Sequence, residues 1–104
     1  MYYKLSFTVP ESHCEIVKNA IFKAGAGKQD NYQRCSFQIK GEGQFEPLQG
    51  SNPFIGKLGH IEIVPEIKVE TICEDKYIKN VIHALKEAHP YESPAYDVWK
   101  LEEL

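Results

Sequence analysis

A chain of 104 residues, 42% hydrophobic and 26% charged, has the composition of one folded domain spanning 1–104, able to bury a core without disulfides or a structural metal. Its net charge of −3 and pI of about 5.8 argue against nucleic acid as a partner, and no stretch approaches the ~20 apolar residues of a membrane span. Three widely spaced cysteines, Cys14, Cys35 and Cys73, suit a reducing compartment, and no apolar leader follows Met1, so the expected location is cytoplasmic.

Tyr3, Leu5, Phe7 and Val9 alternate with Tyr2, Lys4, Ser6 and Thr8, the period of two that marks a strand with one buried face. Pro10 ends it. Ser12-His13-Cys14-Glu15 has the S-x-x-E spacing of a capping box and predicts a helix start. Val17, Ala20, Ile21 and Ala24 form the stripe of that helix, and Gly25 and Gly27 supply its stop. Residues 29–31 read as a turn. Residues 32–39 read as a second strand with Cys35, Phe37 and Ile39 on one face.

Five of the seven glycines fall between Gly41 and Gly59, interleaved with Phe45, Pro47, Leu48, Pro53, Phe54, Ile55 and Leu58. That segment is too apolar for a flexible linker, and the spacing predicts an ordered excursion with a short strand at 44–45. Residues 60–71 alternate again, with Ile61, Ile63, Ile67, Val69 and Thr71 on one face. Pro65 predicts a bulge or an unpaired edge position there. Glu62, Glu66, Lys68 and Glu70, in the other phase, read as a solvated face. Glu74 and Asp75 open a second helix with the stripe Ile78, Val81, Ile82 and Leu85, and Pro90 closes it near His89. Residues 91–94 turn the chain into a last strand at 95–101.

The order β-α-β-β-α-β predicts an α+β, ferredoxin-like sandwich, with a four-stranded antiparallel sheet and both helices on one face. Tyr2, Tyr32, Val64, Tyr96 and Val98 fall on the polar phase of their strands. Apolar residues on an uncovered sheet face imply a second layer from another subunit, so a homo-oligomer is expected.

Three segments together resemble a known family. They are Val9-Pro10-Glu11-Ser12-His13 leading to Ala24-Gly25-Ala26-Gly27, Gly43-Gln44-Phe45 through Gly50-Ser51-Asn52-Pro53-Phe54-Ile55-Gly56, and Ala88-His89-Pro90-Tyr91-Glu92 through Pro94-Ala95-Tyr96-Asp97-Val98. Over nearly its whole length the chain resembles the inserted domain of the YqfO-type (Nif-three-like) dinuclear-metal-centre proteins, and it looks like a stand-alone version of that insert. CutA-like proteins also carry an H-P-Y-[ED]-x-P turn. The resemblance implies a PII-like, CutA-like variant of the fold, assembled as a trimer with a dimer next, its sheets facing inward. The full-length proteins place their His, Asp and Glu metal ligands in two halves flanking the insert. No position of this chain matches those ligands, so neither the metal centre nor the hydrolase-like labels carry over.

The chemical signals are sparse. Gly41-Glu42-Gly43 is a lone GxG outside any strand-to-helix phosphate motif, and the histidines and cysteines form no metal-ligating spacing. No catalytic residue is assigned and no cofactor is expected, with a divalent metal left open. The two prolines of His89-Pro90-Tyr91-Glu92-Ser93-Pro94 make a rigid turn, and convergent polar groups on such a turn suit a ligand cleft. His89 closes a helix, where the dipole would favour its protonated form. The expected ligand-binding residues are His89, Tyr91 and Glu92, with Gly43, Phe45, Ser51 and Phe54 from the glycine-rich segment; His89 and Glu92 are the metal candidates. Phe45, Phe54 and Ile55 are expected to anchor that segment on a neighbouring subunit or partner. The function expected is that of a non-enzymatic, regulatory, oligomeric PII-like module that binds a small ligand or a protein. The alternatives are a divalent-metal (copper-type) binding protein like CutA and a small metal-dependent hydrolase.

Overall fold

Leu5, Phe7 and Val9, alternate residues of one strand, are each at most 1% exposed. They belong to β1 (Tyr2–Pro10) of a computed structural model that describes residues 1–104. The remaining elements are α1 (Cys14–Lys23), β2 (Ser36–Phe45), β3 (Glu62–Glu74), α2 (Ile78–Ala88) and β4 (Tyr96–Lys100). The order is βαββαβ, and the sheet runs β2-β3-β1-β4 with every pair antiparallel. Val17 and Ile21 of α1 and Val81 and Leu85 of α2 close the core over β1 and β3. These are one-face spacings of i and i+4, so each helix buries one stripe.

Directly opposed residues share a face of an antiparallel sheet. Phe7 opposes Val69 and Tyr96, and Leu5 opposes Thr71 and Val98. Tyr96 and Val98 therefore lie on the helix side, beside Ile78 and Ile82, contrary to the expectation of an open-face position. Tyr32 precedes β2 altogether, in a turn with Gln29. Only Tyr2 and Val64 of the five expected residues share the uncovered side. Phe37 and Ile39 are on it too, because Phe37 opposes Glu70 and Ile39 opposes Lys68. They are 64% and 54% exposed. Trp99, opposite Lys4, joins them at 49%.

Both helices begin with a 3-10 turn, Glu11–His13 and Asp75–Tyr77, and neither has a side-chain cap. Ser12 Oγ meets His13 Nδ1 at 2.8 Å instead of capping the helix. Pro65 makes no bulge. Glu42 stands opposite it, and pairing with β1 ends one residue away at Pro10–Glu66, so β3 is an edge on that side. Beyond that point β2 and β3 continue as a two-stranded ribbon to the Phe45–Glu62 pair. Gly41 and Gly43 thus lie inside β2 rather than in a loop. Ile63 sits on the ribbon past the reach of the helices and is 59% exposed.

Residues 46–61 fold back on themselves. Gly59 N–H donates to Pro47 O at 2.8 Å, and His60 N–H donates to Lys57 O at 3.1 Å. Gly56 has φ +98°, and a Cβ there would strike the Glu62 side chain, so the turn requires glycine. At the other end of the sheet, Leu101 N–H donates to Tyr2 O at 3.0 Å, and the Met1 amine stands 3.6 Å from Glu103.

Candidate functional site

α2 stops at Ala88 because Pro90 cannot continue it, and His89 leaves the helix with an extended backbone. The imidazole turns inward and is 5% exposed. Its Nε2–H donates to Thr8 O at 2.8 Å, and its Nδ1 accepts from Tyr91 N–H at 3.1 Å. Two backbone partners of opposite type select the neutral tautomer protonated on Nε2. Burial holds the His89 pKa below its ordinary value, against the opposing pull of the Thr8 carbonyl and Glu66. The protonated ring expected at the helix end is therefore not what the fold selects. His89 braces the turn from behind with both ring nitrogens engaged.

That brace aims Tyr91 outward, across the uncovered side of the sheet. Its hydroxyl donates to Glu66 Oε2 at 2.7 Å. Burial, then the Glu66 hydrogen bond and charge, hold the Tyr91 pKa well above its ordinary value, so the phenol keeps its proton. Glu66 is 7% exposed. Its carboxylate lies over Gly43, where any Cβ would collide with it. The Phe45 ring meets Tyr91 at 5.7 Å and 63°, and the Phe54 ring at 6.5 Å and 51°. Phe54 also stands edge-on to His13 at 5.2 Å. The aromatic anchors of the loop thus pack within their own chain.

Glu92 Oε2 accepts from Asn52 N–H at 2.6 Å and ties the loop to the turn. Ser51 Oγ donates to Leu48 O at 2.7 Å and shapes the loop from within. Glu92→Ala should weaken folding by only about 1 kcal/mol, the scale of one exposed hydrogen bond. It should nonetheless speed amide exchange across residues 50–56, and unchanged exchange there would mean that the loop is anchored elsewhere.

Ribbon, loop and turn enclose a cleft of about 640 Å³. Six of the seven residues expected at a site line it: Gly43, Phe45, Ser51, Phe54, Tyr91 and Glu92. His89 does not. Glu66, Thr8 and Glu42 line it as well and were missed by sequence reasoning. Glu66 shares a strand phase with exposed Lys68, and only the side-chain-free backbone of Gly43, two residues along β2 from its partner Gly41, hints at its burial. No group of three or more His, Cys, Asp or Glu side chains stands close enough to hold a metal ion. Burial holds the Cys14 thiol above its ordinary pKa and pushes Cys73 up to about 11, so neither offers a thiolate near neutral pH.

No family model matches the chain. Among curated proteins it is similar to the GTP cyclohydrolase 1 type 2 homolog of Halalkalibacterium halodurans, 48% identical over 99 residues, 95% of this chain and 27% of that protein. The namesake from Bacillus subtilis is 42% identical over 100 residues, again 27% of its length. The chain thus spans about a quarter of these relatives. Among solved structures, a Bacillus cereus protein related to NIF3 superposes with a TM-score of 0.82 at 39% identity, over 98% of this chain and 26% of that one. CutA of Archaeoglobus fulgidus, described as a periplasmic divalent cation tolerance protein, superposes at 0.68 over 99% of this chain and 86% of its own. At 16% identity that likeness concerns the fold alone.

Proposed function

We propose that this domain, homologous to one segment of the NIF3-related GTP cyclohydrolase 1 type 2 homologs and CutA-like in fold, is a regulatory module that binds a small ligand. The observation that carries the reading is the cleft itself. A concave, aromatic-walled space holds one buried carboxylate and a few other polar groups, the usual make-up of a ligand site. The test is a panel of cationic, neutral and anionic small molecules against isotope-labelled protein. At least one class should shift the amides of Gly43, Phe45 and Tyr91 saturably. A folded protein whose cleft amides respond to none of them at millimolar concentration would refute the reading.

The module acts as a homo-oligomer, a trimer before a dimer. Support comes from Phe37, Ile39 and Trp99, which leave three large apolar side chains about half or more exposed on one sheet face. Light scattering at micromolar concentration should give a multiple of 11.9 kDa. The monomer mass alone would exclude assembly.

A further inference from the structure

The charged residues lining the cleft are Glu42, Glu66 and Glu92, and no Lys, Arg or His lines it. An anion entering it would meet repulsion from each. Glu66 carries the stronger constraint. It is more than nine-tenths buried, and its one hydrogen bond inside the protein uses Oε2. Oε1 has no protein donor, yet no fully enclosed side-chain nitrogen or oxygen lacks a partner, so Oε1 opens on the cleft. A carboxylate removed from bulk water on most sides, with one oxygen free, gains most from a charge-assisted donor. The bare backbone of Gly43 leaves room for that oxygen.

The walls restrict the donor further. Phe45 and Phe54 pack against Tyr91 at 63° and 51° between ring planes, and the three rings wall the cleft next to the carboxylate. Aromatic faces attract flat organic cations, and a planar fork of N–H groups matches a carboxylate edge. A metal ion would find no group of three or more His, Cys, Asp or Glu side chains gathered to hold it, and one Glu66 oxygen is already hydrogen-bonded.

We propose that the cleft takes a planar organic cation of the amidinium or guanidinium class, its N–H edge on Glu66 Oε1 and its flat face on the Phe45, Phe54 and Tyr91 surface. This rests on the small-ligand reading above and names the ligand chemistry for the same site.

Benzamidinium, neutral benzamide and benzoate share one ring and differ in charge, so they serve as probes. Titrated into labelled protein, benzamidinium should shift the Gly43 and Tyr91 amides saturably, benzamide should bind at least about tenfold more weakly, and benzoate should leave them unmoved. Glu66→Gln should lose about tenfold in benzamidinium affinity. The Gln carbonyl can still accept the Tyr91 hydroxyl, so the melting temperature should stay near that of the parent. Equal binding by benzamide or benzoate, or undiminished binding by Glu66→Gln, would overturn the inference and leave the ligand-binding role intact. If no probe binds while the wider panel finds another cleft ligand, the inference falls alone. If the panel is also silent, both readings fall. The comparison of charged and neutral probes needs only the parent protein, so it decides the matter even if the variant does not fold.

Discussion

His89→Ala should cost about 2–4 kcal/mol of folding free energy, because it opens a cavity and strands two buried backbone groups. Thr8 O would lose the Nε2–H donor, and Tyr91 N–H would lose its Nδ1 acceptor. The same change should flatten the dependence of stability on pH. The His89 pKa is lowered in the folded state from 6.5, its ordinary value, by burial first of all. Between those two values the unfolded chain holds more protons than the folded one, so stability rises with pH in that window. The contribution is complete above about pH 6.5 and is lost as the pH falls through the window toward the folded value. Urea unfolding at pH 7.5 and 5.5 checks both parts. The parent should lose more stability on acidification than His89→Ala does. If His89→Ala kept the full acid sensitivity, the ring would not be the group that titrates.

Phe7→Ala should be the more damaging change, at about 3–5 kcal/mol. Phe7 is 1% exposed and stands between Val69 and Tyr96 at the centre of the sheet. Stabilities of 5–15 kcal/mol are usual for folded domains, so the variant would sit near its unfolding threshold. Its loss should be the same at pH 7.5 and 5.5, because no titrating group is removed. A cost below about 1 kcal/mol would mean that the two helices collapse into the vacated space.

The elements with a strong period were legible. Leu5, Phe7 and Val9 in β1 and the stripes of both helices appear where their spacing puts them, and the element order carries the fold. Polarity misled on the two edge strands, β2 and β4, where most side chains are exposed whichever face they occupy. Tyr96 and Val98 looked like open-face residues, yet the register of β4 on β1 turns them toward α2. Phe37 and Ile39 looked inward and face outward, because Ser36 opposes Thr71 and so fixes the phase of β2. Register is a matter of hydrogen bonds between distant segments, and a single strand does not announce it. The aromatic parts of the cleft could be read from composition and the rigid proline turn. Glu66 could not, since its burial depends on a loop and a turn that arrive from either side in sequence. His89 was expected to face a ligand or metal, but its place follows from two backbone atoms, Thr8 O and Tyr91 N, which leave no trace in side-chain identity.

The contact between Leu101 and Tyr2, with Met1 beside Glu103, brings the two ends of the domain to one spot on the sheet. Ends that meet make the fold a detachable cassette. A host polypeptide can leave through one doorway, build all four strands and both helices, and come back through the same opening without stretching. The related segment of the Bacillus cereus protein fills 26% of that chain and keeps the shape seen here. The cleft lies at the far end of the sheet from that joint, beside Thr8 and Glu66 rather than Tyr2.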